Sequence, residues 1–327
     1  AMAEAEVGDD VFREDPTVRR LEELAAETMG KGGALFVPTG TMGNQVAINV
    51  WTRPGREVIL EERSHIFNYE MGTMAAFSGV LPRPLQGQEG ALTAEAVRRA
   101  IRPDLYYLAQ TGLITLENTH NMAGGTILPR SQAEAICALA RERRIPVHLD
   151  GARLFNAAVA QGVAAAELAR PFDSVMTCLS KGLGAPVGSV LAGSADFVAE
   201  ALKVRKRLGG GMRQAGVLAA AGIIALRDHV GRLAEDHVHA RLLAERVAAT
   251  RGLSIDPAKV QTNIVIFELT AATGMSAQVL AQRWKEAGVL ALALDERQVR
   301  AVTHYDVDRA GIEAAGESLD RIMRSGP

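Results

Sequence analysis

Short apolar runs punctuate the first two thirds of the chain: "ALFV" (34–37), "EVIL" (57–60), "LITLEN" (113–118), "PVHLD" (146–150), "DSVMTCLS" (173–180) and "GSVLAG" (188–193). Their length and apolar character predict buried strands. Between them, "GNQVAINVW", "TAEAVRRAI" and "QAEAICALARERR" place apolar residues at helical spacing. Alternation of this kind predicts an α/β fold with a mainly parallel sheet covered by helices on both faces. The first helix has a signal at each end: Asp15 caps it, Pro16 takes its first position and Gly30 stops it after Met29. Beyond about Val230 the texture changes. "VQTNIVIFEL", "VLALALD" and "QVRAVTH" read as strands, "AQVLAQRWKEAG" and "DRAGIEAAGESLDRIMRS" as helices, so a large domain over residues 1–232 and a smaller α+β domain over 233–327 are expected. The basic cluster "KVRKR" (203–207) is expected at the solvated end of a helix.

Composition narrows the field of functions. Of 327 residues, 48% are hydrophobic and 23% charged, with 32 glycines, as in an Ala/Gly-rich α/β enzyme. Basic residues number 36 against 38 acidic, which leaves no surplus of positive charge for a phosphate backbone; nucleic acid is not an expected partner. Two cysteines, Cys137 and Cys178, without metal-ligand spacing suggest free thiols and a reducing, cytoplasmic setting. The apolar run from Ala215 to Leu226 falls short of the roughly 20 residues needed to span a bilayer and predicts a buried helix rather than a membrane anchor.

Against this background one lysine stands out. Lys181, in "LSKGLGAPVG", is the only charged residue between Asp173 and Asp196. An unpaired buried ammonium is costly, and the desolvation that makes it so also makes the neutral amine a usable nucleophile. Asp150 ends the preceding predicted strand, and Lys181 lies just past the end of the next. Ligands of parallel α/β sheets sit outside the carboxyl ends of the strands, so both side chains can meet in one crevice. A lysine and a carboxylate at consecutive strand ends suit pyridoxal phosphate: the lysine forms the Schiff base and the carboxylate pairs with the pyridine nitrogen. A structural ion pair is the competing account. "ALFVPTGTMGNQVAINVW" adds a strand–turn–helix whose Thr39, Gly40, Thr41 and Gly43 can bind an anion at a helix start. His65 and His120 both lie in loops after strands, where His65 can stack on a flat ring and either can move protons. His148 shares a strand face with Asp150 and is expected behind it. Arg153 and Arg300 are candidates for a substrate carboxylate.

With these residues assembled, the chain resembles the low-specificity L-threonine aldolases, of the fold type I, aspartate-aminotransferase-like pyridoxal-phosphate enzymes. The resemblance is carried in family order by "AEVGDDVFREDPTV", "ALFVPTGTMGNQVAI", "SHIFNYE", "ENTHNMAGG", "VHLDGARLFNAAV", "SVMTCLSKGLGAPVGSVLAG", "RKRLGGGMRQAGVLAAAGIIAL" and "VTH". It implies retro-aldol cleavage of L-threonine or L-allo-threonine to glycine and acetaldehyde. It also implies roles: Lys181 as Schiff-base lysine, Asp150 as ring-nitrogen partner, His65 as stacking histidine, and Gly40 and Thr41 as phosphate ligands. Arg153 and Arg300 are implied as carboxylate ligands, with Arg153 also near the cofactor, and His120 and Tyr69 as residues near the substrate. Lys206 and Arg213 resemble basic residues that a neighbouring subunit offers to the cofactor phosphate, so the resemblance implies a homo-oligomer, dimer or tetramer. The family commonly begins with an Arg-Ser-Asp-Thr segment whose serine helps to hold the substrate carboxylate. This sequence starts after that point, and substrate affinity is expected to depend on it. β-Elimination and transamination use the same lysine and aspartate on this fold, and a non-catalytic cofactor-binding relative would keep them too; reaction products separate these alternatives.

Overall fold

Asp15 caps the first helix, Pro16–Met29, by accepting from the amides of Thr17 and Val18, and Gly30 closes it at φ 62°. That left-handed conformation is one glycine adopts without strain. The computed structural model describes residues 1–326. They divide into two compact units, one of residues 1–122 with 128–231 and one of residues 123–127 with those from Arg232 onward.

The first unit is built on seven strands: β1 (Gly33–Val37), β2 (Glu57–Glu61), β3 (Leu81–Leu85), β4 (Thr111–Glu117), β5 (Val147–Asp150), β6 (Ser174–Cys178) and β7 (Ser189–Gly193). Their order is β1-β7-β6-β5-β4-β2-β3. The pairs from β6 through β3 are parallel, while β7 runs antiparallel to both β6 and β1. The parallel strands therefore deliver their C-terminal ends to one edge, where the loops carrying Glu61, Glu117, Asp150 and Lys181 begin. On one face Leu35, Val37, Met176, Cys178 and Leu191 pack against Val46 and Ala47 of the helix Gly40–Trp51 and Phe197 and Ala201 of the helix Ala195–Arg207. The run read as a buried helix is Gly216–Asp228, which packs on Pro16–Met29. Among the described residues no helix is long and apolar enough to cross a membrane.

Two features depart from the sequence reading. β3, "LPRPL", has prolines at its second and fourth positions and pairs only with β2. Proline cannot donate to a ladder, which hid the strand and also confines it to the edge. The basic cluster at 203–207 is not wholly solvated. Arg205 is 2% exposed, donating to Asp10 Oδ2 at 2.8 Å and to the Phe36 carbonyl at 2.7 Å. The partner that takes Arg205 inward lies 195 residues away in the chain, beyond the reach of a local pattern.

The second unit holds a four-stranded antiparallel sheet: β8 (Leu253–Ser254), β9 (Ile264–Leu269), β10 (Leu292–Ala293) and β11 (Gln298–Val302), in the order β10-β11-β9-β8. Only two residues of "VLALALD" pair as a strand. The segment 123–127 joins this unit through Thr262 Oγ1, which donates to the Gly125 carbonyl at 2.7 Å. Its core centres on Trp284, fully buried, with its indole N–H directed at Ser318 Oγ at 3.0 Å and its ring edge-on to Phe267 at 6.0 Å. Trp284→Ala is expected to destabilise this unit by about 3–5 kcal/mol, since it leaves a cavity and removes the indole donor to Ser318 Oγ. Urea titration followed by circular dichroism measures the loss, and a change below about 1 kcal/mol contradicts the packing argument.

Candidate active site

Asp150 is the last residue of β5, and Lys181 follows the neighbouring parallel strand β6 by three residues. Asp150 is 1% exposed; its Oδ1 accepts from the Ala152 amide at 3.1 Å and its Oδ2 from Asn44 Nδ2 at 3.0 Å. Lys181 is half-buried, and among the described residues nothing hydrogen-bonds or pairs with its ammonium. The expectation for His148 is met in detail. Asn44 Oδ1 is an acceptor, so His148 Nε2 must carry the hydrogen that reaches it across 3.1 Å. Nδ1 is then the acceptor for the Ser174 hydroxyl at 2.9 Å, and Ser174 Oγ in turn accepts from the Trp51 indole at 2.8 Å. Burial pushes the His148 pKa down to about 4, which keeps the ring neutral and preserves this direction. The donors Trp51, Ser174, His148 and Asn44 thus point in one sense, ending on Asp150.

Asn44 serves a second carboxyl with its other N–H. Glu70 Oε1 lies 2.9 Å from Asn44 Nδ2, and Glu70 Oε2 lies 2.5 Å from Gln45 Nε2. Glu70 Oε1 is also 3.7 Å from His65 Nε2. His65 opens the short helix His65–Asn68 at the edge of the sheet, its amide held by Glu117 Oε2 at 2.8 Å. Its ring stacks on Tyr69 at 5.7 Å between centroids. Burial lowers the His65 pKa; the Asp150 charge opposes this, and the charges of Lys181 and Arg153 reinforce it. One imidazole therefore feels Asp150, Lys181 and Arg153 together, and it is neutral at working pH. Arg153, at the start of the helix Leu154–Gln161, makes one long contact, to Asn121 Oδ1 at 3.5 Å, and its Nε is buried with no hydrogen-bond partner.

His120 is held differently. It is 2% exposed, with Nε2 3.0 Å from Glu61 Oε2 and 3.9 Å from Glu117 Oε2. Burial disfavours its charge, but the Glu61 hydrogen bond and both carboxylates outweigh burial and raise its pKa. The backbone at Gly90 lies so close to the ring that a Cβ there would stand 2.3 Å from His120 Cγ, at a φ of +83°. Glycine is required at that position on both counts.

The other predicted residues sit on further elements. Gly40 and Thr41 begin the helix Gly40–Trp51, where Thr39 caps the Met42 amide and the first two amides have no intrahelical acceptor. Tyr69 is half exposed, its hydroxyl 3.2 Å from Met122 Sδ. Lys206 and Arg213 are exposed and gather around Asp9 rather than Asp150, with Arg213 Nη1 at 2.5 Å from Asp9 Oδ2. Arg300 is on β11 in the second unit, in register with Ile266 and Leu292. Both cysteines are free and buried. No group of three or more His, Cys, Asp or Glu suited to a metal ion occurs among the described residues.

Sequence reasoning missed Asn44, Glu61, Glu70 and Glu117. Glu61 and Glu117 end β2 and β4 just as Asp150 ends β5, so the strand-end rule applied to Asp150 would have found them. Asn44 and Gln45, adjacent amides on a helix whose interior is otherwise apolar, were a second legible signal.

Comparison with known proteins places this geometry in a family context. The model of the Beta-eliminating lyase family matches residues 1–272. The chain is 43% identical to low-specificity L-threonine aldolase 1 of Arabidopsis thaliana over 99% of its own length and 91% of that protein's. It is 42% identical to the low specificity L-threonine aldolase of Escherichia coli K12, covering 94% of this chain and 90% of that one. Among solved structures, a threonine aldolase from Leishmania major superposes with a TM-score of 0.78 at 21% identity, covering 95% and 90% of the two chains. A serine palmitoyltransferase from Sphingomonas wittichii superposes with a TM-score of 0.76 at 18% identity, covering 99% and 81%. At those identities the structural matches speak for the fold alone.

Proposed function

We propose, for a chain that belongs to the Beta-eliminating lyase family and there to the low-specificity L-threonine aldolases, that it is a lyase splitting the Cα–Cβ bond of L-threonine and related β-hydroxy-α-amino acids into glycine and an aldehyde, with pyridoxal phosphate as cofactor. The observation that carries this reading is the placement of Asp150 and Lys181 at the C-terminal ends of adjacent parallel strands, with both of them and Arg153 within electrostatic reach of His65. The residues suit the cofactor. Asp150 spends one acceptor site per oxygen on Asn44 and Ala152 and keeps others for a ring N–H. The Lys181 ammonium is unengaged, and the first amides of the helix Gly40–Trp51 suit a phosphate. When bound, pyridoxal phosphate supplies an electron sink for the pair left on Cα as the Cα–Cβ bond breaks.

The chain's own residues do the rest. Lys181 Nζ would hold the cofactor at its aldehyde carbon, Asp150 would hold the ring nitrogen, and His65 would offer a face to the ring. Arg153, whose buried Nε has no partner, takes the substrate carboxylate and fixes the rotation of the amino acid. His65 is uncharged, so one of its nitrogens is free to accept the β-hydroxyl proton; we assign it that role ahead of His120, which two carboxylates hold toward the charged form. Lys206 and Arg213 are exposed and fit donation to a second copy of the chain.

Acetaldehyde and glycine released in equal amounts from L-threonine, read through a coupled alcohol dehydrogenase and amino-acid analysis, are the expected result. A keto acid with ammonia, or amino transfer to an acceptor, would replace this reading with another chemistry on the same fold. Arg153→Lys keeps the charge and loses the fork, so KM for L-threonine is expected to rise about 10- to 100-fold, the equivalent of about 1.5–3 kcal/mol for a charged hydrogen bond. Steady-state kinetics with an unchanged KM would remove Arg153 from the carboxylate site.

A further inference from the structure

Two buried carboxyl groups share one amide in this site, and the sharing bears on which of them is charged. Asn44 Nδ2 lies 3.0 Å from Asp150 Oδ2 and 2.9 Å from Glu70 Oε1. The amide cannot turn away, because its oxygen is occupied by His148 Nε2–H, itself fixed by Ser174. Asp150 and Glu70 are each 1% exposed. Their surroundings differ. Asp150 has the Ala152 amide and lies in the field of Arg153, and its neighbour His65 feels Lys181. Glu70 has two side-chain amides from the helix Gly40–Trp51 and the His65 imidazole at 3.7 Å; among the described residues no lysine or arginine pairs with it. The charged groups that face it from β5 and β4 are Asp150 and Glu117, both of its own sign. Two like charges on one shared amide, away from water, cannot both persist at neutral pH.

We propose that Asp150 is the charged member of this pair and Glu70 an uncharged carboxylic acid, with Asn44 and His148 as positioning residues that hold the shared donor between them, so that the His65 ring beside Glu70 stays uncharged. The 2.5 Å separation between Glu70 Oε2 and the Gln45 amide lies below the usual N–H···O range and at the short end of the O–H···O range. Gln45 Oε1 has no partner as placed, and turning the amide end for end gives it the hydrogen of a protonated Glu70. Burial, helped by Asp150 and Glu117 and opposed by the two amide hydrogen bonds, pushes the Glu70 pKa up to about 8. Ionisation of Glu70 just above neutrality would draw a proton onto His65 and set a second anion against Asp150. The service to His65 rests on the aldolase reading; the division of charge does not.

The test is a difference infrared spectrum of the full chain as purified, wild type minus Glu70→Gln, across a pH titration. The expected result is a protonated-carboxyl C=O band at pH 7 that converts to carboxylate near pH 8, with the midpoint moved upward in Asn44→Ala, which removes a donor to the ionised form. With L-threonine, kcat of the wild type should fall through the same midpoint, and that alkaline fall should be absent in Glu70→Gln. A carboxylate signature for Glu70 at pH 7, or an alkaline limb that Glu70→Gln leaves in place, overturns the proposal; a midpoint unmoved by Asn44→Ala removes Asn44 from it. The infrared reading needs no substrate, so a protein that shows the band yet cleaves no threonine ends the aldolase reading and supports this one.

Discussion

Lys181→Ala is expected to lose turnover of L-threonine by on the order of 10⁴-fold or more, because the proposed reading makes this amine the covalent anchor of the cofactor. The position suits that role. Lys181 follows β6 at the edge where Asp150 ends β5, and among the described residues its ammonium stabilises nothing by hydrogen bond or ion pair. Removing it should therefore leave the fold intact, with a thermal midpoint close to that of the wild type. Lys181→Arg isolates the chemistry: it keeps a cation but offers no nucleophile, so it should be as inactive as alanine and should release its cofactor on dialysis. Coupled detection of acetaldehyde, with the pyridoxal phosphate retained per chain, measures both effects. Wild-type activity in either variant would sink the assignment of Lys181.

Asp150→Asn is expected to cost about 10²- to 10³-fold in kcat, the scale of removing one preorganised electrostatic partner. The substitution is nearly isosteric, and its effect follows from donors and acceptors. As a carboxylate, residue 150 accepts from Asn44 and Ala152 and retains lone pairs for a ring N–H. As an amide it brings an NH₂ group that must face either Asn44, already a donor in a chain running from Trp51, or the Ala152 amide. Either meeting is donor against donor. Cofactor should still bind through Lys181, so kcat should fall with cofactor content nearly unchanged. A variant that keeps its kcat would show that Asp150 is a structural carboxylate.

Much of this was legible in the sequence for a physical reason. Buried parallel strands are short apolar runs, and the residues just past them fall where a ligand binds, so Asp150 and Lys181 stood out without coordinates. The caps of the first helix were readable because Asp15, Pro16 and Gly30 act within a few residues of themselves. What was not readable depends on distant partners or on residues that contradict their own element. Arg205 looks like a surface arginine until Asp10 is brought to it, and the prolines of β3 argue against a strand that is nevertheless paired along one side. Glu61, Glu70 and Glu117 looked like ordinary charges in their own segments. They form a cluster only because the parallel strands bring their ends and following loops together, where burial, with like charge nearby, raises the pKa values of Glu70 and Glu117 while the His120 hydrogen bond and charge outweigh burial and lower that of Glu61.

The chain has two tryptophans, and the fold gives one to each compact unit: Trp51, hydrogen-bonded to Ser174, in the first, and Trp284, sealed in the core, in the second. Fluorescence is therefore already divided between them. With Trp284 changed to phenylalanine, the emission that remains comes from the donor chain leading to Asp150 and follows the melting of the first unit alone. With Trp51 changed instead, the light comes from the second unit, so the order in which the two come apart can be read from the colour of two single-tryptophan proteins without attaching any dye.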